Sequence, residues 1–212
     1  MAMLRRLIEP FLRPPPSTST DAELAEVERA IDEEAGVHPY VIRARQALAW
    51  QETAKRKGLK VRYKLGRGGK NPKASHPFQY DKATGWWECD CSGYEAWIMG
   101  YPRKLDGYGY IWTDGTVRDA KRDIPGDLGF EVPREETAPG DMIVQGSVDT
   151  DGDGDRDIIG HVGCATEVRR PFLSFTASVT IIHCASRGDG PIREKRDGKI
   201  WERRGLTFRV RL

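Results

Sequence analysis

Apolar residues recur with a helical period in the first half of the chain and alternate with polar residues in the second half. Helices are predicted where the apolar positions form one face and a glycine ends the pattern, over 20–36, 39–57 and 91–99. Strands are predicted over 60–65, 141–144, 158–168, 174–185 and 206–212. Helices followed by hairpin-connected strands indicate an α+β domain with an antiparallel β-sheet.

A proline triplet followed by Ser and Thr residues, 14–19, forms a stiff and then polar linker. We therefore divide the chain into an N-terminal arm with linker and helix, 1–38, and a main domain, 39–212. The first twelve residues combine Arg5 and Arg6 with a short apolar run, and no small-residue cleavage site follows them. This pattern predicts no N-terminal secretory signal.

Composition excludes several classes of protein. Lys plus Arg number 34 and Asp plus Glu 32, which gives a net charge of +2. A protein that binds nucleic acid would carry a clear basic excess, so we expect no nucleic-acid partner. No apolar run approaches the roughly 20 residues of a membrane-spanning helix. Four cysteines in 212 residues do not form a disulfide framework. The four cysteines are few enough to consider one by one.

Cys91 is the cysteine whose surroundings indicate chemistry. It lies at the start of the predicted helix 91–99, where free backbone N–H groups and the helix dipole stabilise an anion. A thiol in this place is expected to ionise to the nucleophilic thiolate, and the same N–H groups would hold an oxyanion. Cys89, Cys164 and Cys184 are predicted to be buried, reduced residues.

Two histidines on neighbouring predicted strands supply a base and its partner. His161 follows Gly160 on one strand, and His183 precedes Cys184 on the next. Side chains on adjacent antiparallel strands lie side by side on one face of a sheet. If the Cys91 helix packs on that face, all three side chains converge, as nucleophilic catalysis requires.

Five motifs occur in a fixed order and resemble those of the NlpC-type cysteine peptidases, bacterial cell-wall hydrolases with a papain-like fold. They are Tyr63 with Gly66, Asp90-Cys91-Ser92-Gly93, Pro139-Gly140-Asp141, Gly160-His161-Val162-Gly163 and His183-Cys184-Ala185. The resemblance covers about residues 41–190. It implies that the nucleophile helix packs on an antiparallel sheet.

The resemblance also implies a role for each matched residue. Cys91 is the nucleophile, His161 is the general base and later acid, and His183 orients the His161 ring. Tyr63 lies beside the nucleophile and polarises the scissile carbonyl. Asp90 and Ser92 contact the free amine of the peptide stem in some members, and for Ser92 helix capping is an equal alternative.

Three features depart from the family pattern. His183 follows His161 by 22 positions, Cys89 is an unusual neighbour of the nucleophile, and the segment before it is long and ends in Trp86 and Trp87. The two tryptophans either form a wall of the substrate groove or pack beneath the loop. These differences affect substrate choice more than the chemistry.

An acidic segment between two predicted strands leaves two interpretations open. Alternate positions carry aspartates and partly match a calcium-binding loop: Asp149, Asp151, Asp153, Asp155 and Asp157. Arg156 and Gly160 depart from that loop, so a solvated acidic turn is the alternative. Calcium here would be structural, because a thiol mechanism requires no cofactor.

The leading hypothesis is a thiol-dependent peptidoglycan hydrolase that cleaves an amide bond in the peptide stem, a phage lysin or a secreted antibacterial effector. Such a protein is made in the cytoplasm and acts at the cell wall or periplasm after non-classical delivery. An effector would have an immunity or delivery protein as partner. A papain-like protein deamidase or acyltransferase with the same Cys-His-His centre is the alternative, and a binding module without catalysis is a third hypothesis.

Overall fold

The computed structural model describes residues 37–105, 109–122, 128–148, 160–170, 178–186, 191–195 and 205–211. These residues form an α+β structure, as predicted from the order of the elements. The described helices are α1 (Pro39–Arg56), α2 (Cys91–Ile98) and α3 (Thr113–Arg122), with a 3-10 turn at Arg134–Glu136. The described strands are β1 (Lys60–Tyr63), β2 (Gln79–Asp81), β3 (Trp86–Cys89), β4 (Lys104–Leu105), β5 (Gly109–Tyr110), β6 (Gly129–Val132), β7 (Met142–Gln145), β8 (His161–Arg169), β9 (Ser178–Cys184), β10 (Ile192–Lys195) and β11 (Leu206–Val210).

The larger described sheet has six strands in the order β10-β9-β8-β7-β11-β6, and every neighbouring pair is antiparallel. The smaller sheet has the order β1-β3-β2, in which β1 and β3 are parallel and β2 and β3 antiparallel. Strands β4 and β5 form a separate two-stranded ladder. The antiparallel sheet expected from the sequence is thus present, whereas the smaller sheet was predicted only at β1.

Helix α1 begins at Pro39. N–H groups in the first turn of a helix have no intrahelical acceptor, so the N–H that proline lacks costs no hydrogen bond here. The His38 ring caps it by accepting a hydrogen bond of 3.2 Å from Tyr40 N. The buried face of α1 carries Gln51, whose side-chain amide exchanges two hydrogen bonds with the Ile192 backbone on β10. Gln51 is 1% exposed, so both polar ends of its amide are satisfied inside the core.

Helix α2 is buried on every side, which places it at the centre of the described core. Its Tyr94 hydroxyl donates a hydrogen bond of 3.1 Å to Ile182 O on β9. Trp97 Nε1 donates to Ala74 O at 2.8 Å, in the segment between β1 and β2. These bonds dock the helix against the six-stranded sheet on one side and the segment before β2 on the other.

The first turn of α2 lies against the loop that follows β1, and two glycines make this approach possible. Gly69 has φ +66°, and a Cβ added there would overlap Gly93 O. A Cβ added at Gly93 would overlap Arg67 O. Backbone therefore meets backbone here with no room for a side chain.

We expect Gly93→Ala to lower the free energy of unfolding by about 2–3 kcal/mol, because the Cβ would push two backbone segments apart. Urea denaturation measures it. Gly85→Ala is the matched control, since Gly85 has φ +73° but open space around its Cα. Gly85→Ala should lower the free energy of unfolding by only about 1 kcal/mol, because the left-handed backbone conformation is its sole source of strain. If Gly93→Ala lowered the free energy of unfolding by no more than Gly85→Ala does, the close approach of the two backbone segments would be contradicted.

The compact unit His38–Leu212 contains all the described helices and strands. The predicted helix 20–36 and most of the predicted arm 1–38 lie outside the described residues, so the proposed domain boundary stays a prediction. Within the described residues, none of the helices combines the length and apolar character needed to cross a bilayer.

Candidate active site

Cys91 is the first residue of α2, immediately after the Asp90 cap, and is 4% exposed. Its Sγ lies 3.8 Å from the Tyr63 hydroxyl at the end of β1. The same Sγ lies 3.9 Å from the backbone oxygen of Gly160, the residue that directly precedes His161. The fold therefore brings the predicted nucleophile together with Tyr63 and with the start of the strand that carries the predicted base.

His161 and His183 contact each other across β8 and β9. Gly163 pairs with His183 in the ladder, so His161, two residues from Gly163, shares its face of the sheet. His161 Nε2 lies 2.7 Å from His183 Nδ1, and the rings are nearly perpendicular at 82°. A Cβ at Gly163 would lie 2.9 Å from His183 Cβ and overlap Ile181. The glycine thus leaves the space in which the two rings meet.

Burial sets the protonation states of these groups. Burial raises the pKa of Cys91 to about 12, and the Asp90 carboxylate adds to this, while the Tyr63 hydroxyl acts in the opposite direction. The expectation that the helix end would ionise this thiol is therefore wrong for the resting site. A free N–H end stabilises an anion by a smaller amount than complete removal from water costs it.

The two histidines are neutral at rest for the same reason. Burial, and then the neighbouring His183, lower the pKa of His161 to about 3. Burial lowers the pKa of His183 to about 4, helped by Lys195 and Arg193 on β10. Burial raises the pKa of Tyr63 well above its usual value, so its hydroxyl remains a donor. At neutral pH the site therefore holds a thiol and neutral imidazoles.

Asp90 is the N-cap of α2, and its carboxylate binds groups of the protein. Oδ1 accepts from Gly93 N at 2.7 Å, and Oδ2 accepts from Gly66 N at 2.6 Å and from Arg103 Nη2 at 2.6 Å. Ser92 Oγ donates to Asp90 Oδ1 at 3.2 Å and accepts from Arg103 Nη2 at 2.9 Å. Asp90 is the residue that caps the helix, and Ser92 joins it to Arg103.

Arg103 is a residue of the site that the sequence did not indicate. Besides Asp90 and Ser92, it donates to Arg67 O at 2.6 Å. Its side chain is 13% exposed and Asp90 is 2% exposed, so a nearly buried ion pair fixes the N-terminus of α2 against the loop after β1. Arg103 comes before β4 without any motif around it, so no local signal in the sequence could have identified it.

The other three cysteines are reduced and buried, as predicted. Trp87 packs beneath the segment before β2, where its ring contacts Trp50 and His76 at centroid distances of 5.4 and 5.1 Å. Trp86 lies on the other face of β3, with the Arg62 guanidinium 5.0 Å from its ring centroid. Of the two interpretations of the tryptophans, packing beneath the loop is therefore the one that fits Trp87.

The proposed calcium residues Asp149, Asp151, Asp153, Asp155 and Asp157 all lie outside the described residues. Among the residues that are described, no group of three or more His, Cys, Asp or Glu side chains is arranged to hold a metal ion. Calcium binding by the acidic segment stays a prediction.

Comparison with protein-family models, with curated proteins and with solved structures finds no match for this chain. The features that bear on function are therefore the ordered motifs and the geometry around Cys91. That geometry has a cysteine at a helix N-terminus, a hydroxyl beside it and a histidine pair at the adjoining strand.

Proposed function

We propose that this protein is a thiol-dependent peptidoglycan hydrolase with a papain-like fold. It cleaves the amide bond between the side-chain carboxyl of D-glutamate and the diamino acid of the peptide stem. The observation that carries the proposal is that Cys91 Sγ lies 3.8 Å from the Tyr63 hydroxyl and 3.9 Å from the backbone oxygen of Gly160, the residue preceding His161. The specific bond comes from the family resemblance.

The neutral resting site is compatible with general-base attack. As the Cys91 sulfur attacks the carbonyl carbon, His161 takes the thiol proton. The His183 ring, whose Nδ1 lies 2.7 Å from His161 Nε2, holds the His161 ring in position for this transfer. The C–N bond then breaks as His161 gives this proton to the leaving amine, and a thioester remains. Water attacks the thioester and gives its proton to His161, which returns it to the Cys91 sulfur as the acid leaves. The Tyr63 hydroxyl donates to the carbonyl oxygen as its negative charge grows.

The delivery of the protein is part of the same proposal. A phage particle, a lysis event or a contact-dependent secretion machine carries the protein to the cell wall. In the last case an immunity protein protects the producing cell.

Purified protein incubated with defined stem peptides in ¹⁸O-labelled water tests the proposal by mass spectrometry. We expect two products, one ending in D-glutamate with a single ¹⁸O atom and the other beginning with the free diamino acid. A protein inert on every stem peptide that instead deamidates a protein glutamine or transfers an acyl group would replace this function by the alternative. Binding of stem peptides without turnover would favour the binding module.

Removing the His183 ring should slow the reaction without preventing it. We expect His183→Phe to lower kcat by about 10–10²-fold with little change in KM, because a group that orients the base acts through it. His183→Asn should retain more activity, since its amide still hydrogen-bonds the His161 ring. His76→Phe is the matched control: His76 stacks on Trp50 and is remote in the chain from both catalytic strands. An unchanged kcat in His183→Phe would remove His183 from the mechanism.

A further inference from the structure

Glu95 is a buried acid that the proposed mechanism does not use. It lies four residues after Cys91 on α2, one helical turn away on the same side of the helix. Its side chain is completely buried, and neither carboxylate oxygen has a hydrogen-bond partner of normal geometry among the described residues. An ionised carboxylate in such a place is strongly disfavoured, whereas a neutral carboxylic acid is tolerated.

Among the described residues, the groups around Glu95 offset a negative charge only in part. Arg103 is the nearby cation, and its guanidinium is bound to Asp90, Ser92 and Arg67 O. Thr116 on α3 faces Glu95, but its hydroxyl donates to Trp112 O.

Burial raises the pKa of Glu95 to about 8, and the Asp90 carboxylate adds to this, whereas Thr116 and Arg103 act in the opposite direction. The acid is therefore protonated at neutral pH and ionises only in alkaline solution. In its ionised form it joins Asp90 among the charges that raise the pKa of Cys91.

We propose that Glu95 is a positioning residue for the nucleophile: as a neutral acid one turn from Cys91 it permits formation of the thiolate, and as an anion it opposes it. The site is thereby limited to pH values at which Glu95 holds its proton. The role of Cys91 as nucleophile rests on the proposed function, but the effect of Glu95 on the thiol does not. An ionised acid one turn away, at a distance of about 6 Å, changes thiolate formation by about tenfold or more in a partly screened site.

The alkylation rate of Cys91 with iodoacetamide, measured by peptide mass spectrometry from pH 6 to pH 10, tests this without any substrate. An isolated thiol with a high pKa reacts about tenfold faster for each pH unit. In the wild-type protein we expect that rise to flatten near pH 8, where Glu95 ionises. Glu95→Gln should match wild type at pH 6 and react about tenfold faster at pH 9.5. Glu52→Gln, an exposed acid on α1, is the matched control and should follow the wild-type curve.

An unbroken tenfold rise per unit in wild-type protein overturns the proposal, and so does a Glu95→Gln curve identical to wild type when both are folded by circular dichroism. The wild-type curve decides the question even if the variant does not fold. Stem-peptide hydrolysis provides the second measurement: kcat/KM of wild type should fall above about pH 8 and that of Glu95→Gln should not. A protein inert on stem peptides that still shows the flattened alkylation curve would contradict the proposed function and support the role of Glu95.

Discussion

Cys91→Ala is expected to lower kcat/KM for stem-peptide hydrolysis by about 10³–10⁶-fold, the range found when a catalytic nucleophile is removed. Without the sulfur no thioester forms, and the remaining groups only bind the substrate. His161→Ala should cost a similar factor, since the resting thiol is protonated and needs a base to attack. The double variant should be no worse than either single variant, because nucleophile and base act as one unit.

Cys164→Ala is the control for this experiment. Cys164 is also a fully buried thiol, but it lies within β8, with its Sγ near Ala165 O. Its loss should lower stability and leave hydrolysis intact. Equal loss of activity in the Cys164 and Cys91 variants would show that general disruption, and not removal of the nucleophile, explains the result. Activity that survives Cys91→Ala would exclude the thioester route.

Arg103→Met is expected to have the largest effect on stability, about 3–5 kcal/mol, because it leaves the Asp90 carboxylate buried without its cation. Two backbone N–H groups would still bind Asp90, but the tie to Arg67 O and to Ser92 would be lost. Urea denaturation at neutral pH measures the loss.

The double variant Arg103→Met with Asp90→Asn separates charge from packing. If the uncompensated charge is the cause, removing it should recover part of the stability. Arg56→Met, an exposed arginine at the end of α1, should change stability by less than about 0.5 kcal/mol. A loss at Arg103 no larger than that at Arg56 would contradict the structural role of the ion pair.

Elements with strong local signals could be predicted from the sequence. The prediction of 39–57 matches α1, which begins at a proline and ends with Lys55 and Arg56 before Gly58. Strand β11, whose apolar residues alternate with polar ones, was predicted to within two residues of its ends. Strands β2 and β3 were missed because each is only three or four residues long and depends on its partner strands.

The residues of the candidate site also differ in whether a local signal in the sequence indicates them. Cys91, His161 and His183 belong to short motifs that indicate a chemical mechanism, so they could be selected from the sequence. Arg103 and Glu95 have no such motif, and their importance comes from the groups that surround them. Glu95 also looked like an ordinary polar position in a short apolar helix.

The amino-acid sequence alone indicates which residues could perform thiol chemistry, because residue type and order along the chain define the motifs. It also determined the α+β class through the periods of its apolar residues. The charge states of those residues, in contrast, depend on the folded arrangement around them. Removal from water depends on everything packed around a group, and here it outweighs the helix end and keeps Cys91 a thiol and His161 a neutral base.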